Sequence, residues 1–356
     1  MDPSKNNPKE VIRGRGAPQN PPNRFKKIIY DKDPDVDPTE LPSPKTQFFK
    51  DPSRTLISYN ESPDVGFEAS INPYRGCEHG CIYCYARPTH EYLGLSSGLD
   101  FESKILVKEK APLLLRKDLS SKNWKPKPLA LSGVTDPYQP IEKKLEITRQ
   151  CLSVLLEFKN PVVIVTKNHL ITRDIDILSQ LASTQCAAVF ISITTLDEEL
   201  RLKLEPRTST AMLRLKTVEE LSKANIPVGV LIAPVIPGLT DHELPKIIEE
   251  STRKGAKFFG YSIVRLPHAV SYLFERWLEE HFPDRKEKVL NRIREIRGGK
   301  LNDSRFGYRM RGEGLFVNQL EQLFDIACKK AKVKQGGPLL STAFFRVPSL
   351  QTFFNF

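Results

Sequence analysis

Short runs of β-branched and apolar residues alternate along residues 67–264 with longer stretches whose apolar positions recur every three to four residues. The runs at 67–72, 128–133, 161–166, 187–194, 226–234 and 257–264 predict strands. Segments near 101–119, 142–158, 171–183, 209–224 and 241–254 carry the helical period. Asn225 with Pro227 ends one helix, and Thr240-Asp241 supplies an N-cap for the next. Such alternation predicts βαβ units around a parallel sheet, as an incomplete barrel or a doubly wound sheet. In both arrangements ligands gather at the carboxyl ends of the strands.

Beyond residue 264 the pattern changes to helices near 269–281, 284–296 and 314–333. At the other end, residues 1–65 hold 11 of the 28 prolines and show no apolar period, which predicts an extended or disordered arm. Ile28-Ile29-Tyr30 and Thr55-Leu56-Ile57 are short apolar pieces within it that could lie against the core. The chain therefore divides into a Pro-rich basic arm (1–62), a core domain (63–300), a basic helical extension (301–334) and an apolar tail (335–356).

Charge adds a partner class. The formal charge is +11, and its excess sits at the ends: seven Lys or Arg against two acids in residues 1–27, and fourteen against six in residues 285–334. Two basic ends fit a polyanion such as DNA or RNA, or a solvated basic surface. No apolar run reaches the roughly 20 residues that cross a bilayer, and the start MDPSKNNPKE lacks the apolar centre of a secretion signal. A cytoplasmic location without a membrane partner is expected.

The chemistry lies in the stretch from Asn72 to Tyr85, where Cys77, Cys81 and Cys84 follow the first strand at the spacing C-x3-C-x2-C. A short loop of this kind can wrap three corners of an iron-sulfur cube and leave one iron free for a ligand. Gly76 and Gly80 stand where that backbone must turn tightly. A structural zinc site is the competing reading, with His79 or His90 as fourth ligand. Cys151, Cys186 and Cys328 fall on helix or strand positions, where a small buried side chain suffices.

This motif resembles the radical S-adenosylmethionine (SAM) superfamily. Its surroundings, GCEHGCIYCYARPTHEYLGLSSGLDFESKI, SGVTDPYQPIE, SITTLD with LEPRT, and GVLIAPVIPGLTD, are similar to the branch that contains spore photoproduct lyase and the DNA repair photolyase-like proteins, and most of all to an uncharacterised bacterial subgroup. The likeness spans about residues 65–333, with FPDR, RGGKLND and RFGYRMRG included. It implies a partial (β/α)6 parallel barrel of radical SAM type with a helical C-terminal extension. It also implies a 4Fe-4S cluster on Cys77, Cys81 and Cys84, and SAM bound at the remaining iron and split to a 5′-deoxyadenosyl radical. A one-electron reductant such as flavodoxin or ferredoxin is then needed.

The resemblance extends to cofactor contacts. Tyr83, just before the last cysteine, would pack on the adenine, and Ser132, Gly133, Thr135 and Asp136 occupy the place that grips the methionine amine. Asp136 could instead cap the turn before Pro137. Ser192 and Thr194 alternate onto one face of a strand toward ribose or carboxylate, and Glu205 and Arg207 correspond to ribose and carboxylate contacts, or to a surface ion pair around Pro206. Pro234, in the run APVIPG, would form an apolar wall against adenine.

The branch member named above passes a hydrogen atom from a further cysteine between the cluster loop and the second strand; between Cys84 and Asp136 this chain has none. Tyr74, Tyr85 and Tyr138 are the nearest hydrogen donors or acceptors by sequence, with no choice among them, so the catalytic residue stays unknown. The ending Gln351-Thr-Phe-Phe-Asn-Phe356 is loosely similar to peptides that dock on replication sliding clamps, or is a tail tucked on its own domain. Three functions stay open: lyase-like radical chemistry on nucleic acid, radical modification of a protein or small molecule, and a non-catalytic metal-binding nucleic-acid module.

Overall fold

A computed structural model describes residues 14–25 and 45–348. The chain runs through β1 (Gln47–Lys50), β2 (Ile57–Tyr59), β3 (Ala69–Ile71), β4 (Tyr74–Arg75), α1 (Leu99–Ser103), β5 (Lys104–Val107) and α2 (Ala111–Leu119). It continues with β6 (Leu129–Leu131), α3 (Glu142–Leu145), α4 (Ile147–Phe158), β7 (Val162–Thr166), α5 (Ile175–Ser183), β8 (Ala187–Ser192), α6 (Glu198–Leu204) and α7 (Ala211–Lys223). Then come β9 (Val228–Val235), α8 (Leu244–Arg253), β10 (Phe258–Ile263), α9 (Ala269–His281), α10 (Lys286–Ile296), α11 (Leu315–Ala331) and β11 (Lys334–Gln335).

The main sheet has the order β11-β10-β9-β8-β7-β6-β3-β2. From β3 to β10 its strands are parallel and adjacent in chain order, with registers such as Leu129 opposite Val162 and Val189 opposite Val228. No strand order reverses, so the sheet lacks the switch point of a doubly wound fold and is a partial (β/α)6 parallel barrel. The strands read as continuous apolar runs because helices cover the sheet; all of AAVFIS in β8 is buried. A smaller sheet, β1-β5-β4, sits beside the barrel.

All six predicted strands of the core are present, but three expectations need correction. The helix expected over 101–119 is two helices with β5 between them, since KILV alternates half-buried and buried positions against β1 and β4. The segment 142–158 breaks at Glu146, whose φ is 53°. The arm expected to be extended or disordered contains β1 and β2, and residues 14–25 are packed on the core, with Ala17 fully buried. Residues 14–25 are ordered by backbone donors meeting a distant carboxylate, and β1 and β2 by pairing with β5 and β3, which no local pattern announces. Helix α6 was missed altogether; Asp197 caps it by accepting from the N–H groups of Glu199 and Leu200.

Helices α9, α10 and α11 confirm the expected change of pattern, with an irregular stretch at 297–314 between α10 and α11. α9 and α10 form a second core with α6 and the cysteine loop, in which Val270, Phe274, Trp277 and Leu290 pack near Ile82 and Tyr83. Leu56 packs on the main core, and within the tail Phe345 does the same. Ile28 to Tyr30 and the clamp-like Gln351 to Phe356 lie outside the described residues. Among the described residues no helix is long and apolar enough to cross a membrane.

Candidate active site

The three cysteines follow β4, on a loop at the C-terminal ends of β3 and β6. Asn72 ties those ends together, its side-chain oxygen accepting from the N–H groups of Gly133 at 2.9 Å and Val134 at 3.1 Å. The loop itself is pinned at both ends. Cys77 N–H donates to the Phe101 carbonyl at 2.9 Å, and the completely buried Arg87 donates to the carbonyls of Cys81 at 3.0 Å and Gly80 at 3.2 Å. Arg87 is paired with buried Glu102 at 2.5 Å. Gly76 and Gly80 both take positive φ, 82° and 70°, and a Cβ on Gly76 would stand 2.9 Å from the Phe101 carbonyl oxygen.

None of the three thiols is in a disulfide. Burial pushes all three up, Cys77 further still because Asp136 lies beside it and Cys81 because Glu205 does. Thiols gathered in this way are inert as free nucleophiles but suit a metal group, whose positive charge reverses that balance. Among the described residues no three His, Cys, Asp or Glu side chains are arranged to hold a single metal ion. His79 is engaged at both nitrogens, by Asp136 and Asn168. His90 faces the Lys104 carbonyl through Nε2 and keeps a buried Nδ1 without a hydrogen-bond partner. Three thiols on one short loop are a donor set that could hold a cube at three corners.

Beside the loop lies a buried polar network. The Tyr83 hydroxyl donates to Glu205 and lies 3.2 Å from Thr194 Oγ1, which donates to Glu205 at 2.6 Å. Lys167 Nζ stands 3.0 Å from Glu205 Oε1 and donates to Ser192 Oγ at 2.8 Å and to the Ala233 carbonyl at 3.1 Å. Ser192 Oγ donates to the same carbonyl, which lies 3.1 Å from Thr194 Oγ1 and precedes the cis bond to Pro234. Arg214 closes the far side by pairing with Glu205. Burial alone would raise the Glu205 carboxyl, but Arg214 and Lys167 outweigh it, and the group sits far below the usual carboxylate range.

The structure thus brings Tyr83, Ser192, Thr194, Glu205 and the backbone at Pro234 together around Lys167, a residue the sequence reading missed. Its signal was available: a lysine directly after the strand-forming run VVIVT stands where ligands gather in a parallel barrel. Other candidates lie elsewhere. Asp136 accepts from Tyr138 N–H, Thr166 Oγ1 and Lys167 N–H and faces His79, so its oxygens are spent on fixing the loop. Thr135 is buried and donates to the Tyr74 carbonyl. Ser132 ends β6 at φ 114°, a strained value for a residue with a side chain. Arg207 reaches Glu78 at 3.3 Å and Thr46 rather than Glu205.

The tyrosines separate cleanly. Tyr74 and Tyr138 are fully buried, their hydroxyls donating to Glu142 and Asp174. Tyr85 is 51% exposed, donates to the Gly133 carbonyl at 2.8 Å, and carries the Arg265 guanidinium 4.9 Å from its ring centre. Cys151, Cys186 and Cys328 are buried in the main core.

Next to Arg265 the stretch 297–314 presents Phe306 and Tyr308 to solvent, 59% and 45% exposed. Arg309 stacks on Phe306 at 4.6 Å and Arg305 on Tyr308 at 4.5 Å. Buried Arg297 anchors this ledge to the end of β10 by donating to the carbonyls of Val264, Tyr308 and Arg309 at 2.9 Å. Arg309 also pairs with Asp64 at 2.5 Å, bridging to the segment before β3.

Residues 71–250 match the model of the Radical SAM superfamily. An uncharacterised protein of Mycobacterium tuberculosis is 32% identical over 232 residues, 65% of this chain and 67% of its own. An uncharacterised protein of Methanocaldococcus jannaschii is 29% identical over 248 residues, 70% and 88% of the two chains. Spore photoproduct lyase complexed with dinucleoside spore photoproduct shares the fold, with a TM-score of 0.58 at 16% identity over 81% of each chain. With the family's pattern spanning half its length and three thiols looped at the strand ends of a partial barrel, the chain belongs to the radical SAM superfamily.

Proposed function

We propose that this chain holds a 4Fe-4S cluster through Cys77, Cys81 and Cys84, cleaves SAM reductively, and directs the radical at a nucleic acid. The observation that carries the reading is the loop of three buried, unbridged thiols at the ligand-gathering end of a radical SAM barrel. In this superfamily the bound cluster gives one electron to the sulfonium of SAM, which releases a 5′-deoxyadenosyl radical. A ferredoxin or flavodoxin is the electron donor we expect.

The chain's own residues bind and orient the cofactor. Lys167, its ammonium taken up by Ser192, Thr194, the Ala233 carbonyl and Glu205, positions the two hydroxyls toward the ribose. Tyr83 and Pro234 give an apolar wall for adenine. The strained end of β6 at Ser132, with Gly133 and Thr135, receives the methionine amine. Asp136 acts there by holding the loop, and Arg207 by holding Glu78. Tyr85, the exposed member of the three tyrosines, is our candidate for hydrogen transfer with the substrate.

The nucleic-acid target is supported by the ledge beside Tyr85. Exposed rings take bases by stacking, and the excess of Lys and Arg over acids in residues 285–334, fourteen against six, draws phosphate. Spore photoproduct lyase, whose solved complex holds a dinucleoside spore photoproduct, shares the fold, although the cysteine described for it has no counterpart between Cys84 and Asp136.

Anaerobic reconstitution with iron and sulfide, then dithionite and SAM, should yield 5′-deoxyadenosine on chromatography. A purified chain with one zinc and no sulfide would sink the reading. A fluorescent single-stranded oligonucleotide should bind, more weakly as salt rises, and Phe306→Ala with Tyr308→Ala should weaken binding about tenfold or more. SAM cleavage without oligonucleotide affinity would move the target to a protein side chain or a small molecule.

A further inference from the structure

Residues 14–25 lie across the outer side of the cysteine loop. The N–H groups of Gly16 and Ala17 donate to the two carboxylate oxygens of Glu102 at 2.9 and 2.8 Å. That carboxylate is fully buried, and its other partner is Arg87, which holds the carbonyls of Gly80 and Cys81. Arg15 donates to the Glu102 carbonyl at 2.8 Å and to Thr46 Oγ1 at 3.0 Å, the hydroxyl that Arg207 also reaches. A Cβ on Gly16 would lie 1.6 Å from the Gly80 carbonyl oxygen, so no other residue fits without moving one of the two strands of chain apart. Ala17 packs with Cys81, Ile82 and Tyr83.

The contact continues along the segment. Leu99 N–H donates to the Gln19 carbonyl at 3.2 Å, and Asn20 exchanges hydrogen bonds of 3.0 and 2.8 Å with Asp100. Asn23 Nδ2 donates to the carbonyls of Glu91 and Leu95, and Arg24 pairs with buried Glu91. If the segment left, the Glu102 carboxylate would lose both N–H donors that satisfy it, and water would reach the apolar side of the loop at Cys81 to Tyr83. Both changes are unfavourable, so loop and segment form one cooperative unit.

We propose that residues 14–25 are a clasp on the cysteine loop, and that the chain retains its cluster only while the clasp is seated. This rests on the reading of Cys77, Cys81 and Cys84 as cluster ligands. The test uses the full chain with Gly16→Ala, with Asn23→Ala as a milder release, and with Gly66→Ala as control, since a Cβ on Gly66 meets open space. In the metal-free chain, trypsin cleavage after Arg15 and Arg24 is followed by mass spectrometry. In the reconstituted chain, iron, sulfide and the half-time of bleaching in air are measured.

Gly16→Ala should be cut about tenfold faster and bleach several times faster, Asn23→Ala should move both readings the same way, and Gly66→Ala should match the parent. A variant with a released clasp that keeps its cluster as the parent does overturns the proposal, as does a parent already cut as fast as Gly16→Ala. A parent without iron and sulfide refutes the cluster reading instead, and the proteolysis still decides whether the clasp exists. Should Gly16→Ala fail to fold, Asn23→Ala decides both.

Discussion

Exchange of Cys81 for alanine should abolish 5′-deoxyadenosine formation, a loss of at least about a thousandfold, or roughly 4 kcal/mol of barrier. Cys77 and Cys84 cannot substitute for it, and Cys151, Cys186 and Cys328 are locked in a different core. The fold should survive the exchange. Cys81 is 9% exposed among apolar neighbours, and alanine keeps the β-carbon, so the metal-free variant should melt within a few degrees of the metal-free parent. Product at the parental rate from a folded Cys81→Ala chain would remove the cluster from the account.

The largest stability effect should come from Glu205→Ala. The change leaves Arg214 and Lys167, 1% and 15% exposed, without the carboxylate that both face. Removing one partner of such a buried arrangement costs about 3–5 kcal/mol, and Glu205→Gln should cost less because it keeps part of the bonding to Tyr83 and Thr194. Denaturant titration reads this directly. The pH dependence carries the sign: a carboxyl depressed on folding contributes above its unfolded pKa and loses that contribution only as pH falls through its folded value. The gap between parent and variant should therefore stay level from neutral pH to about pH 5 and narrow in strong acid. A gap that closes already near neutrality would mean Glu205 is protonated in the folded chain.

What could be read from the sequence follows from where the controlling interactions lie. AAVFIS announces a buried strand because burial on both faces leaves no room for alternation, and the cysteine spacing announces the loop because its thiols are local. β5 was hidden by helical segments on either side. The pairing of Arg87 with Glu102 spans 15 residues and that of Gly16 with Glu102 spans 86, so neither leaves a periodic trace. The residues around Glu205 were legible one at a time, yet their common centre at Lys167 was not. Asp136 and Arg207 face His79 and Glu78 of the loop, contacts that the sequence did not announce.

The contacts of residues 14–25 also bear on the order in which the molecule assembles. Gln19 meets Tyr272 and Arg24 meets His268, partners separated by 253 and 244 positions. Contacts that close so much chain form late, after the intervening units have condensed. A segment made before the core it packs on is therefore among the last to settle, and until it does the side of the loop at Cys81 to Tyr83 stays uncovered.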